Sequence, residues 1–399
     1  MGQQRAKAAS FVIDYLMISH PKSVMPLGAD ALRWFVPRNE PAQRGFRIST
    51  AGEGSRRVEV RKSDLAKWPF CTLSEFTADA SDKHRILLVA PLSGHFAFIL
   101  REMVSDLVMN ANVSVTDWRN ASYVPLSAGE FGFDENIDTI ARSIEIIGPG
   151  AHVIAVCQGT VPALAATALL AENQPELAPR SLILLGGPVD PLANATRVVE
   201  LLRQAPPRWF EQNVLDRVGP SFPGAGRMVY PARHQMSALA AYFYRHWAWG
   251  GELFRQIIED DRIDPTNVPF FDLFTSLMDL PAKFFLENIQ KVFQDRDIWT
   301  GKLEWRTQIV DFSAIRRTAL MTIEGAQDDI AAPGQTRAAH WLCPNIPAPM
   351  RRTLTVDGAG HFSLFHGGTW REKILQKVNG FIGAHASRPC SVLPRPHRL

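Results

Sequence analysis

The sequence contains no uninterrupted apolar run long enough to span a bilayer as a helix. With 46% hydrophobic and 21% charged residues, the chain reads as a soluble globular protein. Cysteine is scarce. Cys71, Cys157, Cys343 and Cys390 show neither CxxC nor Cys/His ligand spacing, which argues against a disulfide framework and against a zinc site. That usage suits a reducing compartment and leaves room for one important thiol. Excess charge of one sign is also lacking: a formal net charge of +3 gives no general attraction to nucleic acid. Internal repeats and low-complexity tracts are absent, which excludes a solenoid. At the start, "MGQQRAKAASFVIDYLMISHP" carries two early basic residues, but Asp14 interrupts a short apolar segment and no cleavage site follows, so no export signal is read. The basic, proline-rich end "ASRPCSVLPRPHRL" reads as a flexible tail over 387–399.

What is present is a strand–helix alternation in 399 residues, a length that fits one catalytic-sized domain carrying a substantial insertion. Residues 1–80 read as a mostly helical and irregular N-terminal extension packed on the core. "RILLVAP", "VSVTDW", "HVIAVC" and "SLILLGG" are then short apolar runs ending in turn residues, with helix-sized segments between them. This predicts an α/β fold with a mostly parallel central sheet covered on both faces. After Gly187 the alternation stops for more than a hundred residues rich in aromatics, and it returns with "TALMTIEG" and "RRTLTVDGAGH". The expected organisation is a core of 81–190 and 306–386, with a helical cap over 191–305 inserted after the strand ending near Gly187. Most cap aromatics read as cap core.

In such sheets, sites form outside the carboxyl ends of the strands, and three of those ends carry reactive residues. Cys157 ends one strand, Asp328 and Asp329 follow a second, and His361 follows a third. Nucleophile, acid, histidine is the chain order of the α/β-hydrolase fold. Its nucleophile sits on a strained turn that tolerates only small residues two positions away, and here Ala155, Cys157 and Gly159 meet that demand. No serine has glycine on both flanks at that spacing. The following helix aims its N-terminal partial charge at the sulfur, and Pro162 fits its first turn. His361, in a glycine-rich loop, is the candidate base. Asp328 fits the turn pattern through Gly325 and Ile330 as the orienting acid; Asp329 and, after the preceding strand, Asp190 are the alternatives. An oxyanion hole requires two backbone N–H groups, one from Gln158 and one from the loop after the first clear strand, Leu92 or Ser93. No metal or organic cofactor is expected.

With these motifs placed, the chain resembles intracellular polyhydroxyalkanoate depolymerases, which mobilise stored polyhydroxybutyrate. "LLVAPLSGHFAFILREMV", "VTDWRNASYVP", "VCQGTVPALAA", "LLGGPVDP", "LMDLPAKFFLENIQKVFQ", "LMTIEGAQDDIAAPGQTRAAHWLC" and "GAGHFSLFHGGTWREKI" carry the likeness, from about residue 85 to 382. The resemblance implies a cysteine–aspartate–histidine triad of Cys157, Asp328 or Asp329, and His361, acting through an acyl-cysteine. It also implies a cytoplasmic enzyme at the surface of storage granules, with the polyester or its oligomers as partner. The chain departs from the family pattern at Gly159, where proline is expected, at Phe362, where tyrosine is expected, and at Ala232, where a "YPG" turn is expected. Two rivals share the fold: a polyester synthase-like acyltransferase using the same three residues, and a non-catalytic granule-associated protein.

Overall fold

A computed structural model describes residues 45–52, 57–78, 84–239 and 276–386. The six apolar runs form parallel neighbours in one sheet: β4 (His84–Val89), β5 (Ala111–Trp118), β6 (His152–Val156), β7 (Ser181–Leu185), β13 (Ala319–Gly325) and β14 (Arg351–Val356). Every residue of β6, β7 and β13 is buried, which is why these runs read as continuously apolar rather than alternating. Helices α1 (Arg101–Leu107), α2 (Phe133–Ile147), α3 (Thr160–Asn173) and, at the end of the chain, Leu375–Ala386 pack with the sheet. Helix α3 is buried continuously from Thr160 to Leu170, so it is apolar all round and holds the centre of the core.

The first part of the chain differs from its reading as helical and irregular. Strands β1 (Thr50–Ala51), β2 (Val58–Lys67) and β3 (Cys71–Ala78) extend the sheet antiparallel, giving nine strands in the order β1-β2-β3-β5-β4-β6-β7-β13-β14. Strand β2 lies near the edge, and among its ten residues only Val60 is buried. Its Arg61, Lys62, Asp64 and Lys67 leave no apolar alternation to read, and such charges discourage pairing with another chain. The apolar stretches at 10–18 and 29–36, read as helical, and Cys390 lie outside the described residues.

Between β7 and β13 the chain leaves the sheet. Helices α4 (Arg197–Gln204), α5 (Pro207–Asn213) and α6 (Ala282–Asn288) lie here, with a small antiparallel sheet of β8 (Asp216–Arg217), β9 (Met228–Tyr230) and β10 (Leu280–Pro281), and a β11–β12 hairpin (Glu304–Trp305, Gln308–Ile309). Phe210, Val214, Leu215, Ala282 and Ile289 form a second, smaller core, against which Trp209 and Phe285 pack. Phe284 instead joins the main core, stacked on Phe133 with ring centroids 6.3 Å apart. The aromatic runs at 241–249 and 270–271 lie outside the described residues. Among the described residues no helix is long and apolar enough to cross a membrane.

Candidate active site

The site forms where β6, β13 and β14 end. Strand β6 runs straight into a single 3-10 turn, Cys157–Gly159, and then into α3. The turn forces Cys157 to φ 51°, in the left-handed region that a residue with a β-carbon avoids. Close packing explains the small neighbours: a β-carbon on Gly159 would stand 3.2 Å from the Val89 carbonyl oxygen and 3.3 Å from that of Ala90. Glycine where the family pattern has proline therefore lets the elbow sit tight on the end of β4. Cys157 is half-buried, whereas Cys71 and Cys343 are fully buried and their thiols are pushed up by desolvation, Cys343 to about 12.

After β13, the Gln327 N–H donates to Ala359 O at 2.9 Å and the Asp328 N–H to Gly325 O at 3.1 Å, which folds the two loops together. Asp328 is 3% exposed. Its Oδ1 accepts from the N–H groups of Ile330 and Ala331 at 2.9 and 2.8 Å, and its Oδ2 lies 2.8 Å from His361 Nδ1. These bonds fix the carboxylate before it meets the ring. His361 precedes a 3-10 turn, Phe362–Leu364, and its ring stands edge-on to Phe362 and Phe365. The imidazole also interacts with the Cys157 side chain. Burial works against a charged ring here. The Asp328 carboxylate and the Cys157 sulfur outweigh it and hold the imidazolium well above the usual histidine range.

The structure thus brings Cys157, His361 and Asp328 together. Asp329 is half-buried beside Asp328, and Asp190 is paired with Arg296, whose Nη2 and Nε donate to its Oδ1 at 2.6 and 3.1 Å. Arg296 comes from the segment between β7 and β13, so no reading of the "GGPVDP" turn alone could find this partner. On the loop after β4, the Leu92 N–H donates to Gln158 Oε1 at 3.0 Å, and Ser93 is exposed. His95, two residues after Ser93, forms a β-bridge with Leu277. Among the described residues no group of three or more His, Cys, Asp or Glu side chains could hold a metal ion.

The order of strands and the elbow–acid–histidine arrangement at their carboxyl ends define an α/β-hydrolase fold. Residues 186–386, half of the chain, match the family described as "PHB de-polymerase C-terminus", and the chain belongs to that family. The matched span contains Asp328 and His361 and begins downstream of Cys157. Fold and family together support an ester hydrolase. No curated protein sequence matches the chain. Solved structures similar to it include an epoxide hydrolase from Bacillus megaterium in complex with an inhibitor, with 14% identity, a TM-score of 0.49, and 80% of this chain and 99% of that chain covered. Another is a hydrolase from Pseudomonas aeruginosa, with 15% identity, a TM-score of 0.45, and 81% and 98% covered.

Proposed function

We propose that this protein is a depolymerase that hydrolyses the ester bonds of stored poly(3-hydroxybutyrate) at the granule surface, with Cys157 as nucleophile, His361 as acid–base and Asp328 as the orienting acid. The observation that carries this reading is the placement of one buried imidazole between Asp328, at 2.8 Å, and a cysteine on a strained strand–helix turn. The two other cysteines described are buried and lack such a partner.

In the acylation step, the Cys157 sulfur attacks the ester carbonyl carbon as its proton resides on His361. The new C–S bond forms as the carbonyl π pair moves to oxygen, where the Gln158 and Ser93 N–H groups receive it, the Leu92 N–H being taken by Gln158 Oε1. Collapse of this intermediate breaks the C–O bond, and His361 gives its proton to the departing hydroxyl end. A 3-hydroxyacyl thioester remains on Cys157. Water then attacks it with His361 as base, releasing the acid and restoring the thiol. Asp328 keeps the Nδ1 proton in place, so the other nitrogen serves the reaction.

The test is release of 3-hydroxybutyrate from amorphous polyhydroxybutyrate granules by purified protein, beside Cys157→Ala and a 3-hydroxybutyryl-CoA control. Release by the wild type and not by the variant is expected. Polymer growth with liberation of CoA would instead make the chain an acyltransferase, and granule binding without either reaction would make it a coat protein.

A further inference from the structure

The side chain of Gln158, the residue after the nucleophile, is held at both ends. Its Oε1 accepts from the Leu92 N–H at 3.0 Å, and its Nε2 donates to Asn288 Oδ1 at 3.1 Å. Gln158 is 7% exposed, so water competes poorly for either bond. Leu92 begins the turn after β4 that faces the elbow, whereas Asn288 is the last residue of α6, in the segment between β7 and β13. The same turn meets that segment through its backbone. The Met278 N–H donates to Gly94 O and the Phe96 N–H to Ser276 O, each at 2.7 Å. Gln235 Nε2 in turn donates to Met278 O at 2.9 Å. Helix α6 is itself anchored on the core, since Glu287 accepts from the Phe133 N–H at 2.6 Å.

We propose that Gln158 and Asn288 are a positioning pair through which the segment between β7 and β13 sets the oxyanion-side turn at Leu92–Ser93. The inference rests on the hydrolase reading above and deepens it. Backbone donors stabilise a developing oxyanion only when they stand within a few tenths of an ångström of the right place. The turn after β4 is tied to the segment through Gly94 and Phe96, but those bonds lie beyond Ser93 and do not reach the nucleophile. A carboxamide reaching from the elbow itself supplies a direct reference point. It ties the turn to the nucleophile, and Asn288 ties the carboxamide to α6. A displacement of α6 therefore moves the donor turn relative to Cys157.

The test uses the full chain with p-nitrophenyl butyrate, comparing wild type, Asn288→Ala, Asn288→Asp, Gln158→Ala and the double alanine variant. Asn288→Ala is expected to lower kcat by on the order of tenfold with KM within about twofold, since small misplacements are costly to rate. Asn288→Asp keeps an acceptor for Nε2 and is expected to recover most of the loss. The double variant is expected to be no slower than Gln158→Ala. Wild-type kcat in Asn288→Ala, failure of Asn288→Asp to recover the rate, or losses that multiply in the double variant would each overturn the pairing. If the wild type turns over neither this ester nor polymer, the hydrolase reading fails. The pair is then judged by a double-mutant cycle in urea unfolding, where additive losses would remove it too.

Discussion

Gly186 lies directly against His361: a β-carbon on the glycine would stand 3.3 Å from Cε1 of the imidazole, and also 3.4 Å from Asp328 Oδ2. Gly186 has φ +55°, a conformation a β-carbon further disfavours. The end of β7, which carries none of the Cys157, Asp328 and His361 side chains, is thus the surface on which the Asp328 carboxylate and the His361 ring meet. Gly186→Ala is expected to lower kcat by on the order of 100-fold while costing only about 1–2 kcal/mol of stability. Ester-hydrolysis kinetics beside urea unfolding checks this, and an unchanged kcat would show that the pair tolerates displacement.

The backbone strain at Cys157 makes a separate prediction. A residue with a β-carbon held at φ 51° is less stable than glycine there by on the order of 1 kcal/mol. Cys157→Gly is expected to raise the unfolding midpoint in denaturant while abolishing acyl transfer. A lower midpoint would mean that the lost sulfur contacts outweigh the relief of strain.

Asp328 and Asp190 are both buried, yet their removal should read out differently. Asp328→Asn is expected to lower kcat about 10³- to 10⁴-fold, because the imidazole loses its orienting carboxylate. Asp190→Asn leaves Arg296, whose side chain is 22% exposed, without its carboxylate. It is therefore expected to cost roughly 3 kcal/mol of stability, with kcat changed far less. An NMR titration of the His361 ring adds an independent check: its pKa is expected to fall further in Asp328→Asn than in Cys157→Ala. The reverse order would mean that sulfur, rather than carboxylate, dominates the ring.

Acid should weaken the fold through a histidine far from the reaction. His152, at the opposite end of β6 from Cys157, is 1% exposed, with Nδ1 2.8 Å from Ser181 Oγ. Desolvation by burial, then the nearby His84 and Arg180, depress its pKa from 6.5 to about 4. The unfolded chain therefore binds the proton more tightly. The stabilisation is present above about pH 6.5 and is lost as pH falls toward about 4, amounting to about 3 kcal/mol. His340, also pushed to about 4 by burial, acts in the same direction. Urea unfolding at pH 7.5 and 4.5 should show the fall, and His152→Asn should flatten it. An equal slope in that variant would place the acid sensitivity elsewhere.

How much was legible depended on where each residue's partners lie. The runs that became β6, β7 and β13 were readable because strands buried on both faces must be apolar throughout. Strand β2 was missed because, near the edge of the sheet, it is held by backbone pairing with β1 and β3, which leaves its side chains free to be charged. The elbow was readable because its steric demand is local, falling on residues 155, 157 and 159. Gly186 and Asn288 left no such mark. Gly186 meets His361 from a different strand, and Asn288 meets Gln158 across 130 positions of sequence.

The sequence by itself determined the strand–turn–helix at Cys157, the chain order of Cys157, Asp328 and His361, and a loop that carries His361 past the end of β14. These follow from local sterics and from apolar runs that must be buried wherever they lie. Tertiary structure alone decided which carboxylate faces the imidazole. Asp328, Asp329 and Asp190 are the same side chain to a sequence, but the turn after Gly325 points Asp328 at His361, and Arg296 takes Asp190. Backbone direction and distant partners make that choice, and both exist only once the chain has folded.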